Sequence, residues 1–167
     1  MKAITNRRSI RKYTNQAVSD EQIKMLLEAA MSAPSAGNEQ PWHFIVIKDR
    51  QLLDEVPKYH PYSSMIKQAP VAVLVCADTK LNKYNMDYWV QDCAAATENL
   101  LVAVADQGLG AVWLGVYPGH ERVAGLRQLF NVPEEVIPFA LVPIGYPAEH
   151  KDPENRYRED RIHLNRW

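Results

Sequence analysis

A dense cationic cluster, Arg-Arg-Ser-Ile-Arg-Lys-Tyr over residues 7–13, carries the first side chains that could do chemistry. Four cationic side chains occupy six positions there, with no acidic residue among them. Because side chains alternate along extended backbone, Arg7, Ser9 and Arg11 would point to one side. Two guanidinium groups and a hydroxyl suit a phosphate and a second electron-rich group. A solvated basic terminus or a nucleic-acid patch is the alternative interpretation.

The second stretch of interest is Pro-Ser-Ala-Gly-Asn-Glu-Gln-Pro-Trp over residues 34–42. Its two prolines restrict φ and lack N–H groups, while Gly37 permits a positive φ. Ser35, Asn38 and Gln40 add short hydrogen-bonding side chains. Such a rigid polar loop can hold a flat polar ligand, although an ordinary connection between a helix and a strand has the same composition.

Length and charge bound the class of protein. At 167 residues the chain is long enough for one domain, 1–167, with its own core, and 47% hydrophobic residues are ordinary for a globular protein. Nineteen Lys and Arg residues against twenty Asp and Glu residues give a formal net charge of −1. This balance predicts neither nucleic acid nor an anionic membrane as a partner.

The cysteines, the histidines and the N-terminal segment limit the kinds of site and the cellular location that the sequence predicts. Cys76 and Cys93 are too few and too far apart for a disulfide framework or a Cys-x-x-Cys motif. The five histidines show no metal-ligand spacing, so no metal site is predicted. Residues 1–13 lack the apolar core of a signal peptide, and no apolar run approaches the roughly 18 residues of a membrane span. A soluble cytoplasmic protein is the expectation.

Helical and strand patterns alternate along the chain. Ser19 and Gln22 form a predicted capping box before a helix over about 20–32. The longest helical pattern covers about 87–107 and ends at Gly108, a predicted C′ cap. Further predictions are a helical turn within 1–6, a short helix from Asp49, a helix at about 120–130, and strands at 42–47, 70–77, 111–117 and 136–146.

Glycines mark the strand predicted at 111–117. Gly115 interrupts it, which indicates a bulge or a close approach of the backbone to a ligand. Gly108, Gly110 and Gly115 do not fit G-x-G-x-x-G, and they follow a helix and not a first strand. A Rossmann dinucleotide site is therefore disfavoured.

The tail from 147 to 167 is charged and broken by prolines, yet it carries apolar anchors. These are Tyr157, Ile162, Leu164 and Trp167. Arg156 and Arg158 form a second arginine cluster, which could meet the first cluster only through folding. A solvent-facing terminus is the alternative interpretation.

Four motifs in order resemble the FMN-dependent nitroreductase family: RRSIRKY, APSAGNEQPWHF, WLGVYP, and GYPAE followed by ENRY. The resemblance covers nearly the whole chain, with few insertions, and PSAGNEQPW and RRSIR are its most specific parts. It implies an α+β, three-layer fold with a central mixed β-sheet flanked by helices. It also implies an obligate homodimer with two FMN molecules at the subunit interface and the tail at about 148–167 packed on the partner subunit.

The resemblance further implies that cofactor-binding residues come from both subunits. One subunit would supply Arg7, Arg8, Ser9 and Arg11, and the other subunit would supply Pro34, Ser35, Ala36 and Asn38. In this scheme Arg7 lies near the FMN phosphate and Arg11 lies near the N1/O2 edge of the flavin.

The C-terminal half adds three matching positions. Leu114 and Gly115 match backbone that lies beside the flavin, with an amide that can approach N5, and Arg156 matches a phosphate-binding arginine. Some relatives have a lysine two positions earlier. Here Glu154 occupies that position, and Arg158 could supply the missing cation. The loop at 62–65 lies where relatives contact the flavin ring, but its residues match too poorly for a role.

The implied activity is an NAD(P)H oxidoreduction carried by FMN. Hydride from NADH or NADPH would reach flavin N5, and a nitroaromatic, a quinone or a related electron-poor acceptor would then use the same site in a ping-pong cycle. Arg11 would stabilise the negative charge of the reduced flavin, and Gly115 would help to tune it. No catalytic side-chain constellation is expected, because the cofactor carries the chemistry.

Three other functions fit parts of the sequence. One is a flavin dehydrogenase or a reductive dehalogenase relative with a narrow substrate, and another is a flavin-binding or sensory module without turnover. A nucleic-acid-binding module built on the two arginine clusters is disfavoured by the net charge of −1. The residues do not decide the physiological acceptor, the preference for NADH or NADPH, or whether oxygen competes.

Overall fold

A five-stranded sheet forms the centre of the fold in the computed structural model, which describes residues 1–84 and 86–167. The strands are β1 (Trp42–Ile47), β2 (Val71–Asp78), β3 (Gly110–Ala111), β4 (Leu114–Gly115) and β5 (Val136–Gly145). β2 lies between β1 and β5, and the two short strands pair with successive parts of β5.

The mixed character predicted for the sheet is limited to one contact. All four ladders between described strands are antiparallel. The parallel contribution is an isolated bridge between Ser9 and Ala111, with the Ile10 N–H donating to the Ala111 carbonyl oxygen at 2.9 Å. The predicted α+β class, with a central sheet and flanking helices, is confirmed.

Five α-helices begin and end close to the predicted positions. They are α1 (Lys2–Asn6), α2 (Asp20–Met31), α3 (Arg50–Glu55), α4 (Tyr88–Asp106) and α5 (His120–Phe130). The Ser19 and Gln22 capping box is present at the start of α2, and Asp49 caps α3 through the N–H groups of the next turn. Gly108 follows α4 at φ +70°, as a left-handed C′ residue.

The two faces of β2 divide the core into two packed layers. Val71, Val73, Val75 and Ala77 pack in a cluster with residues of α2 and α4, whereas Ala72, Leu74 and Cys76 pack in a cluster with residues of α3 and α5. Side chains alternate across a strand, so a continuously apolar segment covers both faces of the sheet. The three-layer arrangement follows from this alternation.

The continuous strand predicted at 111–117 is wrong in its extent. The structure has β3 and β4 there, separated by Val112 and Trp113, which leave the ladder with β5. The break falls before Gly115 and not at it. Side chains still alternate between the two core clusters through the break, with Trp113 edge-on to Phe139. Apolar patterning therefore indicated an extended chain but not where its hydrogen bonding is interrupted.

The remaining sequence predictions concern the thiols, the membrane and the tail. Cys76 and Cys93 are buried and free, and burial raises the pKa of the Cys76 thiol to about 12. No helix in the described part of the chain is long and apolar enough to cross a membrane. The apolar anchors of the tail are exposed in the single chain, Leu164 to 85% and Tyr157 to 68%.

Candidate functional site

The cationic segment lies between the edge of the sheet and the start of the tail. Ser9 bridges to Ala111 of β3, and Lys151 Nζ donates to the Ser9 carbonyl oxygen at 2.6 Å. The Arg11 N–H donates to Glu149 Oε1 at 2.5 Å, and this hydrogen bond, together with the Lys151 ammonium, lowers the pKa of the Glu149 carboxyl. Hydrogen bonds therefore connect the N-terminal cationic segment to the start of the C-terminal tail.

A pocket of about 600 Å³ opens between this segment and the tail. Its lining includes Arg8, Ser9, Arg11, Lys151 and Arg156, with His150, Asp152, Pro153 and Glu154 between them. The fold thus brings arginines from both clusters to one cavity, although they are more than a hundred residues apart in the chain. Guanidinium groups beside a hydroxyl suit the phosphate of a nucleotide.

Arg8 shows that the pocket is suited to an anion. Its guanidinium donates to the carbonyl oxygens of Asp152 at 2.9 Å, Thr5 at 3.1 Å and Arg7 at 2.6 Å. Its Nη2 is buried and has no hydrogen-bond partner among the described residues. A buried cationic donor without a partner is costly, and a phosphate oxygen would satisfy it.

Arg7 and Arg156 are held by acidic side chains. Arg7 Nε lies 3.4 Å from Glu98 Oε1 of α4, and Arg7 is not among the residues that line the pocket. Arg156 donates two hydrogen bonds to Glu154 Oε2, from Nε at 3.2 Å and from Nη2 at 3.1 Å. The carboxylate of Glu154 therefore already pairs with the Arg156 guanidinium. Arg158 does not line this pocket, so its suggested substitution gains no support from the single chain.

The polar loop is fixed by its own hydrogen bonds. Gly37 and Asn38 are left-handed, at φ +52° and +55°, in a 3₁₀ turn. Ser35 Oγ accepts the Gln40 N–H at 3.0 Å, and Gln40 Nε2 donates to Asn38 Oδ1 at 2.8 Å. The Ala36 N–H donates to Asp92 Oδ1 of α4 at 2.9 Å. None of these loop residues lines the pocket above, so a single subunit does not bring the loop and the arginines together.

The backbone at Gly115 has open space on one side, and two side chains contact its carbonyl oxygen. A Cβ atom added to Gly115 would meet nothing within 4 Å, so a planar group has room beside it. The Gly115 oxygen accepts from Arg122 Nη1 at 2.8 Å and lies 3.0 Å from His60 Nε2. Leu114, the other predicted position, is buried in the core. The open side fits the prediction that this backbone lies against a ligand.

His60 donates through Nε2 to the Gly115 carbonyl oxygen. Burial lowers the pKa of its imidazole, the hydrogen bond to Gly115 opposes that shift, and the nearby Arg122 charge adds to it. Because a carbonyl oxygen can only accept, the Nε2 atom must carry the hydrogen. His60 Nδ1 is buried without a partner among the described residues.

Comparison with known proteins identifies the family. The sequence model of the Nitroreductase family matches residues 4–60 and 54–146. The chain belongs to the nitroreductase family. A Methanothermobacter thermautotrophicus protein, provisionally named NADH dehydrogenase/NAD(P)H nitroreductase, is 52% identical over 167 residues, which are 100% of this chain and 87% of that protein.

Solved structures of the family carry the same fold. A Clostridium acetobutylicum protein, provisionally named an NADH oxidase, matches with a TM-score of 0.95 and 43% identity, covering 99% of each chain. A Desulfovibrio desulfuricans protein, provisionally named a nitroreductase and crystallised in complex with FMN, matches with a TM-score of 0.83 and 34% identity, covering 99% of this chain and 95% of that one. The resemblance drawn from the four motifs is confirmed.

Family membership also confirms that this nitroreductase is an enzyme. At the level of the family, its activity is NAD(P)H-dependent flavin oxidoreduction or nitroreduction. The roles of individual residues remain predictions.

Sequence reasoning missed four side chains of this nitroreductase that hold the predicted site. They are Glu39, His60, Asp92 and Arg122. Helical spacing could have identified Asp92, because it lies three residues after Trp89 and four before Ala96, on the face that enters the core. No sequence signal distinguished Arg122 from the other cationic residues of the chain.

Proposed function

We propose that this nitroreductase is an FMN-dependent oxidoreductase that takes hydride from NADH or NADPH and reduces nitroaromatics, quinones or related electron-poor acceptors in a ping-pong cycle. The observation that carries the proposal is the pocket lined by Arg8, Ser9, Arg11 and Arg156, with the unpartnered Arg8 Nη2 beside it. A phosphate matches this donor set in charge and in hydrogen-bonding capacity.

The residues that would hold FMN are those predicted from the sequence. Arg7, Arg8, Ser9, Arg11 and Arg156 would bind from one side, Pro34, Ser35, Ala36 and Asn38 from the partner subunit, and Leu114 and Gly115 along the ring. When bound, FMN would supply the hydride-accepting and hydride-donating atom, N5, for both half-reactions.

The contribution of the chain is positioning and electrostatics. Arg11 would place a permanent positive charge where the cofactor gains negative charge. Arg122 and His60 hold the Gly115 carbonyl, so the backbone on the open side of β4 has a fixed position. Preorganised groups of this kind need no rearrangement during the reaction.

A homodimer is part of the proposal, because the loop and the arginines would meet only across two subunits. The tail supports it: Leu164 is 85% exposed and Trp167 is fully exposed in the single chain. Covering the apolar side chains of such a tail with another protein surface is favourable, because it removes apolar area from water.

Replacing both Leu164 and Trp167 by Asp should yield monomers that release FMN, with Asn165→Asp as the matched control. Sedimentation equilibrium and flavin fluorescence measure both effects, and a verified monomer that retains FMN would contradict the shared site.

The activity is tested by anaerobic stopped-flow mixing of the FMN-loaded protein with NADH and with NADPH. We expect the flavin absorbance to bleach and then to recover on mixing with nitroaromatic or quinone acceptors. FMN that stays oxidised with both donors would favour a flavin-binding module without turnover. Recovery with one halogenated or otherwise restricted acceptor would favour an enzyme with a narrow substrate.

A further inference from the structure

Two acidic side chains are buried where the polar loop rests on α4. Asp92 of α4 is 4% exposed, and Glu39 of the loop is 6% exposed. Asp92 accepts the N–H of Ala36, three residues before Glu39, and after burial the neighbouring Glu39 carboxyl is among the causes that raise the pKa of the Asp92 carboxyl. Two buried carboxylates this close are costly to ionise together, because each charge disfavours the other.

Each carboxyl group uses one oxygen to hold a backbone N–H. Asp92 Oδ1 accepts from Ala36 at 2.9 Å, and Glu39 Oε2 accepts from the Lys83 N–H at 2.8 Å. The other two oxygens, Asp92 Oδ2 and Glu39 Oε1, are buried and have no hydrogen-bond partner among the described residues. One proton between them would satisfy both oxygens.

We propose that Glu39 and Asp92 share one proton, and that this hydrogen bond between a carboxylic acid and a carboxylate positions the loop that binds FMN. The inference rests on the proposed function, since the loop serves FMN only if the chain binds it. The two residues are positioning residues. They act through Ala36, a predicted cofactor contact whose N–H is held by Asp92.

The charges around the pair do not replace the proton. Lys83 Nζ donates to the Gly37 carbonyl oxygen at 2.6 Å, and the Tyr84 hydroxyl packs over Gly37. Asp87, the residue before α4, accepts from the Trp89 indole at 3.1 Å. Cys93 stays a neutral thiol, because burial raises its pKa. The hydrogen bonds that the described residues donate to the pair come from backbone N–H groups and not from a cation.

The proton makes the loop sensitive to rising pH. Burial raises the pKa of the Asp92 carboxyl, the Ala36 N–H opposes this shift, and the neighbouring Glu39 carboxyl adds to it. The folded protein therefore keeps the proton at pH values where the unfolded chain has lost it. When pH rises through the raised pKa, two buried carboxylates face each other and the hold on the loop weakens. We therefore expect both the affinity for FMN and the free energy of unfolding to fall as pH rises.

Three variants separate the shared proton from a merely structural contact. In Asp92→Asn the amide can donate permanently to Glu39, and its oxygen still accepts the Ala36 N–H. Glu39→Gln makes the reciprocal change and serves if Asp92→Asn folds poorly. Asp106→Asn is the matched control, because Asp106 is exposed at the other end of α4, fourteen residues and about 21 Å away along the helix.

Two measurements are made across pH on each protein. One is the FMN dissociation constant from the quenching of flavin fluorescence, and the other is the infrared carbonyl band of a protonated carboxyl group in the apoprotein. We expect wild-type affinity to fall about tenfold as the pair ionises, since a hydrogen bond to a charged group is lost. Asp92→Asn should have a flat profile and lack the infrared band, while Asp106→Asn should behave like the wild type.

A wild-type affinity that does not change with pH, or an infrared band that persists in Asp92→Asn, would overturn the shared proton. Failure of the proposed function gives a different result: wild-type protein would bind no FMN at any pH, while the infrared band would still report on the pair.

Discussion

Arg122 donates a hydrogen bond from Nη1 to the carbonyl oxygen of Gly115 across 2.8 Å. The same oxygen lies 3.0 Å from His60 Nε2, so α5 and the loop between α3 and β2 both hold this one backbone group. The guanidinium of Arg122 also lies over the Tyr62 ring, 5.5 Å from its centroid. This arrangement connects the loop at 62–65, which had no assigned role, to the backbone expected beside the flavin.

Removing the Arg122 donor should slow flavin reduction more than it weakens FMN binding. Arg122→Met keeps much of the apolar side chain but loses the charged hydrogen bond to Gly115, which is worth about 1.5–3 kcal/mol. We expect the rate of flavin reduction by NAD(P)H to fall about tenfold, which corresponds to about 1.4 kcal/mol of barrier. Stopped-flow absorbance measures the rate. Gln128→Met, an exposed position on the same helix, is the control, and equal rates in the two variants would exclude a positioning role for Arg122.

His60 should make the stability of the fold depend on acidic pH. Burial lowers the pKa of its imidazole in the folded protein, so the unfolded chain takes up the proton first. Stability from this group is complete above the unfolded pKa of about 6.5 and is lost as pH falls towards the lowered pKa. His60→Gln keeps an N–H donor for Gly115 without titrating. Thermal unfolding at several pH values should therefore show a flatter profile for His60→Gln than for the exposed control His120→Gln.

Glu154 should weaken the binding of FMN. Its carboxylate pairs with the Arg156 guanidinium and adds a negative charge beside the pocket that we propose binds the FMN phosphate. Both side chains are well exposed, so the effect is small, and we expect Glu154→Gln to tighten FMN binding about threefold with a steeper dependence on salt. Fluorescence titration at two salt concentrations measures it, with Glu159→Gln as the control. Unchanged affinity would argue that Arg156 does not contact the phosphate.

Gly37 should be required by the loop for two reasons. Its φ is +52°, and a Cβ atom there would lie 2.5 Å from the Tyr84 hydroxyl oxygen. Gly108 has φ +70° but open space around its Cβ position, so Gly108→Ala reports the backbone strain alone. We expect each alanine variant to lose about 1–2 kcal/mol of stability and only Gly37→Ala to lose FMN affinity as well. Denaturant unfolding and flavin titration test the pair, and equal affinities would show that the loop tolerates displacement of Tyr84.

Local sequence signals predicted the elements because they depend on neighbours in the chain. The capping box at Ser19, the apolar run of β2 and the C′ glycine at Gly108 each act within one turn or one strand. The same signals overestimated the strand at 111–117, since alternation of side chains continues where Val112 and Trp113 leave the ladder. Hydrogen-bond pairing depends on β5, which is distant in sequence.

The sequence by itself determined the class of fold, the family and the order of the motifs that would bind a flavin. Only the tertiary structure decided which of those residues meet: Arg8, Arg11 and Arg156 share a pocket, Arg7 is held by Glu98, and the polar loop lies elsewhere on α4. It also decided that Asp92 and Glu39 are buried together. Burial and the distance between two charges are set by segments far apart in the chain, and no local pattern encodes them.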